Sequence, residues 1–247
     1  MHAVLGYRCL ACGAENDSRE LVYTCAVCGG GLELVFDLKA LGRLGLCNSD
    51  APDLSRYHRA CGVAEGYVPA LPVRTQPLHD LSGKLPGVDA VRVLLKNDTG
   101  LPSASFKDRA SYVALAKALE WGHRRLVAAS TGNAGASLAC LCAAAGVEAT
   151  IFVPAAAPKA KLAQLIAFGA DLRPVDGTYD LAYERSLEET REHGTFNRNT
   201  GFNPWTREGK KTVAFEIFEQ LRGQGTSETS STRKTRLDDG CPDWVVV

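Results

Sequence analysis

Residues 126–146 read LVAASTGNAGASLACLCAAAG, and the way this run divides decides the fold. Residues 126–129 are a short apolar run of strand length. Ser130, Thr131, Gly132 and Asn133 are turn and cap formers. From Asn133 onward Leu138, Leu141, Cys142 and Ala145 fall on one helical face, and Gly146 supplies a stop. The run therefore reads strand, turn, helix.

The same alternation continues on both sides. Upstream, residues 91–95 are a strand candidate. Residues 108–121 place Tyr112, Leu115, Ala116 and Leu119 at helical spacing, ended by Gly122. Downstream come a strand at 150–153, a helix opened by Pro158 and stopped by Gly169, and a strand at 172–175. Helices at 179–193 and 206–221 follow. Alternating short apolar strands and helices predict an α/β fold: an open, parallel, twisted sheet with helices on both faces. Residues 223–240 are mainly Gly, Ser, Thr and charge, and read as a flexible surface insertion. Residues 242–247 read as the start of a further buried strand, so the core spans 91–247 and looks incomplete at its C-terminal side. Residues 38–90, mixed and rich in Gly and Pro, read as a connecting arm with a short helix near 54–61.

Residues 1–37 obey a different rule. Cys9-x2-Cys12 and Cys25-x2-Cys28 are two thiolate pairs separated by twelve residues. Two such turns can complete a zinc tetrahedron. Gly13 and Gly29 follow the second cysteine of each pair, where the turn calls for positive φ. Residues 21–23 and 32–35 are the β-prone pieces of a zinc ribbon. A redox dithiol is the competing reading. With four cysteines on one ion, zinc there is structural, since no position stays open for catalysis.

Across 247 residues, 28 basic and 28 acidic side chains balance, which argues against a general nucleic-acid or membrane-surface role. No apolar run is long enough for a membrane span, and the start lacks a secretory layout, so the expectation is a cytoplasmic protein.

Two turns carry the candidate chemistry. Ser130, Thr131, Gly132 and Asn133 open a helix after a strand, where free N–H groups suit a carboxylate or phosphate. A plain helix cap is the alternative. Lys107 begins its own helix, where the dipole disfavours a cation, and Phe106 beside it adds desolvation. A neutral amine can form a Schiff base with an aldehyde. The alternative is an ordinary surface lysine.

Taken together, these residues resemble a known family. LPSASFKDR at 101–109 resembles the lysine motif of threonine synthase, a fold-type II (tryptophan-synthase-β-like) pyridoxal-phosphate enzyme, and STGNAG at 130–135 resembles its asparagine loop. ATIFVP at 149–154, PKAK at 158–161, FGAD at 168–171, DGTYD at 176–180 and NPWTREGKKT at 203–212 keep the family's order. An N-terminal zinc ribbon also occurs in that branch.

The resemblance implies that Lys107 is the Schiff-base lysine of pyridoxal 5'-phosphate, and that Asn133 bonds the cofactor ring's hydroxyl. Ser130, Thr131 and Gly132 then hold the substrate carboxylate. The implied activity is conversion of the small molecule O-phosphohomoserine, with water, to L-threonine and phosphate. Lys96, Arg109, Lys210 and Lys211 are candidates to neutralise the substrate phosphate. Homodimers are common in the family.

This sequence departs from the pattern in PVRTQPL at 72–78 and in Leu101, which bears on the substrate. The family's glycine-rich cup for the cofactor phosphate falls after residue 247, so the expectation for this chain as it stands is inactivity. Competing readings are cysteate synthase, a serine/threonine dehydratase, and a non-catalytic remnant with an interacting zinc ribbon.

Overall fold

The computed structural model describes residues 3–17, 20–45, 51–88, 91–224 and 242–246. In the N-terminal module, β1 (Val4–Cys9) is flanked antiparallel by β2 (Glu15–Asp17) and β3 (Leu32–Phe36). Residues 21–23, read as a β-prone piece, form no strand; Leu21 and Val22 pack against the apolar cluster of the module and Trp205. Asp37 accepts a bond from the Ala40 N–H at 2.9 Å and caps α1 (Leu38–Leu44). The helix expected near 54–61 is a single 3-10 turn, Leu54–Tyr57, capped by Asp53. Leu54, Tyr57, Cys61, Val63 and Val73 are buried in the main hydrophobic core.

β4 (Leu78–Asp80) and β5 (Leu94–Lys96) pair antiparallel as a separate ribbon. The strand expected at 91–95 is thus shifted, and it lies outside the parallel sheet. Then follow α2 (Lys107–Glu120), β6 (Arg125–Ala129), α3 (Asn133–Ala145), β7 (Glu148–Pro154) and α4 (Lys159–Ala167). The series continues with β8 (Asp171–Val175), α5 (Tyr179–His193), β9 (Phe196–Asn197), α6 (Pro204–Lys210) and α7 (Thr212–Gln224). The helix expected at 206–221 is therefore two. Thr212 turns its hydroxyl back to the Gly209 carbonyl at 2.7 Å, a side-chain bond that competes with the helical ladder at the break. The insertion expected over 223–240 falls, from residue 225 on, outside the described residues. Residues 242–246 form no described strand, and Trp244 and Val246 are 89% and 96% exposed.

The main sheet is parallel, in the order β8-β7-β6-β9. The fold is the expected open α/β sheet clothed by helices. From β6 the chain steps outward through β7 to β8, then returns to place β9 on the other side of β6. Strand order reverses between β6 and β9, and the crevice at their carboxyl ends is where such sheets take ligands. Ser130 follows β6, and Arg198 follows β9.

Candidate active site

The turn after β6 is drawn in tightly. A Cβ on Gly135 would meet the Ser130 carbonyl at 2.9 Å and Leu165 at 3.0 Å, so only glycine lets the turn close. Ser130 Oγ accepts the Gly132 N–H at 3.2 Å. The N-cap of α3 is Gly132, and no side chain caps this helix. The plain-cap reading therefore fails: Ser130, Thr131 and Asn133 leave the helix start uncapped, with Gly132 and Asn133 exposed. Unspent N–H groups at the start of a 13-residue helix attract an anion.

Lys107 opens α2, where Ser105 Oγ accepts its N–H at 3.1 Å and the Ser105 and Phe106 carbonyls accept those of Asp108 and Arg109. The turn before it is held by Asp108, which is fully buried and accepts from Ser103 N at 2.7 Å and Ser103 Oγ at 2.5 Å. Within that turn Ala104 has φ of 57°, in the left-handed region that disfavours a side chain, so the Asp108–Ser103 clasp holds a strained backbone. Lys107 is half-buried, its Nζ 5.2 Å from the Phe106 ring centroid, and among the described residues it makes no ion pair.

Arg198 joins the two helix starts. Its backbone N–H continues the sheet to Val127 O at 2.8 Å, and its Nη2 reaches the Lys107 carbonyl at 3.5 Å. Asn199 Oδ1 accepts from Ala129 N at 2.9 Å, and the Tyr179 hydroxyl donates to Ala129 O at 3.2 Å. The start of α2, the end of β6 and the end of β9 thus meet at one end of the sheet.

The four candidate phosphate cations separate clearly. Arg109 is fully buried and bonds Asp98 at 2.8 Å and Glu216 at 2.6 Å; Lys96 bonds Glu216 at 2.6 Å. Burial alone would lower the Arg109 pKa, but Asp98 and Glu216 raise it above its ordinary value. Both cations belong to an internal ion network and have no charge to offer. Lys211 pairs with Glu208 and lies 4.0 Å from the Phe36 ring centroid, against the N-terminal module. Lys210 alone of the four has no ion pair among the described residues. Its pKa is lowered by burial and by the charges of Lys107, Arg198 and Arg207. Arg198 went unnoticed in the sequence. Its only signal was the polar run NRNT after Phe196.

At the other end of the chain, the sulfurs of Cys9, Cys12, Cys25 and Cys28 lie within 4.8 Å of one another. That fits four sulfurs around one zinc at about 2.3 Å each. Gly13 and Gly29 have φ of 75° and 71°, as the two turns require. The N–H groups of Cys12 and Ala11 lower the Cys9 thiol to about 6. At Cys28 the Gly30 N–H acts in the same direction, but the neighbouring cysteines outweigh it and push that thiol up to about 12. All four of these sulfurs can ionise together only with a cation among them. The donor set and its closure fit a structural zinc and leave no open position.

Comparison with known proteins gives a consistent result. The family model described as pyridoxal-phosphate dependent enzyme matches residues 70–228. Threonine synthase of Methanosarcina acetivorans is 31% identical over 226 residues, covering 87% of this chain and 53% of that protein. Threonine synthase of Methanocaldococcus jannaschii is 32% identical, covering 88% of this chain and 54% of that protein. The chain thus spans about half the length of these relatives. Among solved structures, O-acetyl serine sulfhydrylase isoform 3 of Entamoeba histolytica superposes with a TM-score of 0.56 at 26% identity, covering 61% of this chain and 48% of that one. Threonine deaminase isoform 2 of Solanum lycopersicum gives 0.56 at 25% identity, covering 64% and 44%.

Proposed function

The chain belongs to the pyridoxal-phosphate dependent enzyme family, and from that premise we propose that it is the lysine-bearing part of a threonine synthase, acting on O-phosphohomoserine and water to give L-threonine and phosphate. The observation that carries the reading is that Lys107, at the start of α2, and the uncapped 130–133 turn, at the start of α3, both stand at the reversal point of the sheet, with Arg198 reaching the Lys107 carbonyl. The residues present suit the cofactor: an amine without an ion pair, an exposed asparagine, and a turn that only Gly135 lets close.

In this reading the bound cofactor supplies an electron sink. Lys107 would be its covalent anchor and would carry protons to and from the substrate carbons. Asn133 bonds the ring hydroxyl. Ser130, Thr131 and Gly132 hold the substrate carboxylate, so that the carbon to be deprotonated faces the Lys107 amine. Phe106 keeps bulk water from that amine. The four cysteines hold a structural zinc. The partner is a small phosphorylated amino acid, and a homodimer is the assembly we expect.

The test has two parts. Purified protein loaded with cofactor should show visible absorbance that Lys107→Ala abolishes. Release of phosphate from O-phosphohomoserine should be seen once the chain is extended to the full length of its relatives, of which it spans about half. Absorbance that persists in the variant removes Lys107 from its role. Turnover of O-phosphoserine with sulfite, in place of O-phosphohomoserine, reassigns the substrate to that of a cysteate synthase.

A further inference from the structure

β6 ends on a residue whose backbone has no strand to pair with. Along a strand, the N–H and C=O of one residue point to the same side, and successive residues alternate. The Val127 carbonyl accepts the Arg198 N–H at 2.8 Å, so Val127 faces β9. The Ser130 N–H donates to Phe152 O at 3.2 Å, so Ser130 faces β7. Ala129, two residues after Val127 and one before Ser130, therefore faces the β9 side, where the ladder with β9 stops at Val127. Ala129 is buried, so both of its polar groups need partners. Two side chains supply them. Asn199 Oδ1 accepts the Ala129 N–H at 2.9 Å, and the Tyr179 hydroxyl donates to the Ala129 carbonyl at 3.2 Å.

The two side chains differ in kind. Asn199 is buried and committed: its Nδ2 donates to Ser186 Oγ at 2.7 Å, and its N–H to Asn197 Oδ1 at 2.8 Å. Turning its amide over would set an NH2 group against the Ala129 N–H. Tyr179 opens α5 and is 50% exposed, so its hydroxyl reaches the strand from the crevice side. Arg198 stands beside it. Arg198 is 2% exposed and bonds neutral acceptors among the described residues: Ser111 Oγ at 3.1 Å, Thr200 Oγ1 at 3.3 Å and the Lys107 carbonyl at 3.5 Å. Burial lowers that guanidinium to about 10, and Asp108 and the Tyr179 phenol, both near it, act in the other direction. Tyr179 thus bonds the base of the 130–133 turn and lies beside the residue that reaches Lys107.

The Ala129–Ser130 peptide is the stem of that turn. Tyr179 holds its oxygen and Phe152 its hydrogen, on opposite edges of one rigid plane. Beyond the stem, the hydrogen bonds of Ser130 and Gly132 among the described residues stay within the turn and the first turn of α3. The tilt of the stem therefore sets where the N–H groups of Thr131 and Gly132 point. We propose that Tyr179 is a positioning residue: its hydroxyl fixes the tilt of the Ala129–Ser130 peptide and, with it, the aim of the turn that receives the substrate's α-carboxylate. The role rests on the reading of residues 130–132 as the carboxylate's holders.

Tyr179→Phe removes the hydroxyl and keeps the ring. In the chain as it stands, hydrogen exchange at the Ser130 amide should accelerate by about tenfold, while the Ala129 amide, held by Asn199, keeps its wild-type rate. Affinity is read in the chain extended to the length of its relatives and loaded with cofactor. The probe is L-serine, which carries an α-carboxylate and no phosphate, titrated by visible absorbance. Its binding should weaken by about fivefold or more in Tyr179→Phe, and KM for O-phosphohomoserine should rise by a similar factor with a smaller change in kcat. An unaltered Ser130 amide overturns the anchor. Exchange that rises equally across β6, β7 and β9 reduces Tyr179 to a structural contact and overturns the positioning role. Faster Ser130 exchange with unaltered L-serine affinity does the same. A wild-type extended chain that leaves O-phosphohomoserine unturned removes the threonine synthase reading alone, and the L-serine titration then decides Tyr179.

Discussion

Replacing Tyr23 by phenylalanine asks whether the N-terminal module is part of the catalytic core. β9 lies at the edge of the sheet, with β6 on its inner side. Its next N–H, that of Arg198, faces β6. By strand alternation the Asn197 N–H faces outward, where another strand would ordinarily accept it. Here the Tyr23 hydroxyl accepts it at 2.9 Å, and Asn203 Nδ2 donates to the Asn197 carbonyl at 2.6 Å. Two side chains stand in for a missing strand. Tyr23 also stacks on Phe202 at 4.5 Å and meets Phe196 edge-on at 6.3 Å, contacts that phenylalanine keeps.

The substitution thus removes one acceptor and little else. Asn197 is fully buried, so its N–H is left without a partner. That orphaned donor should cost about 1–3 kcal/mol. Urea denaturation should show a lower midpoint with an unaltered slope, and hydrogen exchange at 196–203 should accelerate by about tenfold or more. Because Cys25 lies two residues from Tyr23, stripping the metal from the wild type should open the same amides. A midpoint unchanged within about 0.5 kcal/mol, with exchange at 196–203 unaffected, would refute the idea that the module completes the sheet.

Other consequences follow from the same contacts. Gly209→Ala would drive a Cβ into the Arg109 carbonyl, so α6 must move off α2; thermal denaturation should show a loss of about 3 kcal/mol or more, and an unshifted Tm would deny that close approach. Glu216→Gln leaves Arg109 and Lys96 buried without their shared carboxylate and should cost about 3–5 kcal/mol in denaturant. Burial would raise the Glu216 pKa, but Arg109 and Lys96 bring it below its ordinary value. Its stabilisation is therefore complete above the unfolded pKa of about 4.3 and lost as pH falls through the lower folded value. Stability measured between pH 6 and pH 3 should drop steeply in the wild type and less in Glu216→Gln. Cys9→Ser should lose zinc by elemental analysis and raise exchange across the N-terminal module, whereas full zinc retention would reject the four-cysteine site.

The helices were legible where three signals coincided. α3 and α5 begin and end as read, because an apolar stripe, a turn former before it and a left-handed glycine after it, Gly146 or Gly194, all agree. β9 was invisible, since two residues carry no period. Lys96 and Arg109 looked like free cations because their partner, Glu216, lies more than a hundred residues away in sequence, on a helix whose boundary was itself misread. Ion pairing is a tertiary fact, and spacing along the chain does not report it. The same limit hid Arg198: the bareness of a buried charge is visible only once every neighbouring carboxylate has been assigned elsewhere.

The spacing of its two cysteine pairs made the ribbon read as a separate module. Its aromatic residues point the other way. Tyr7 is fully buried, its hydroxyl accepts from the Trp205 indole at 3.0 Å, and that indole lies under Lys117, whose Nζ is 4.1 Å from its ring centroid. Gly62 packs so closely on Val4 and Trp205 that a Cβ there would fall 2.5 Å from Val4. A self-sufficient zinc ribbon has no use for two tyrosines whose hydroxyls bond to groups outside it. Tyr7 anchors α6, which carries Lys210, and Tyr23 completes β9, which leads into Arg198. In physical terms the two cysteine turns set the position of both ribbon tyrosines, each two residues before a cysteine, and these in turn brace α6 and β9.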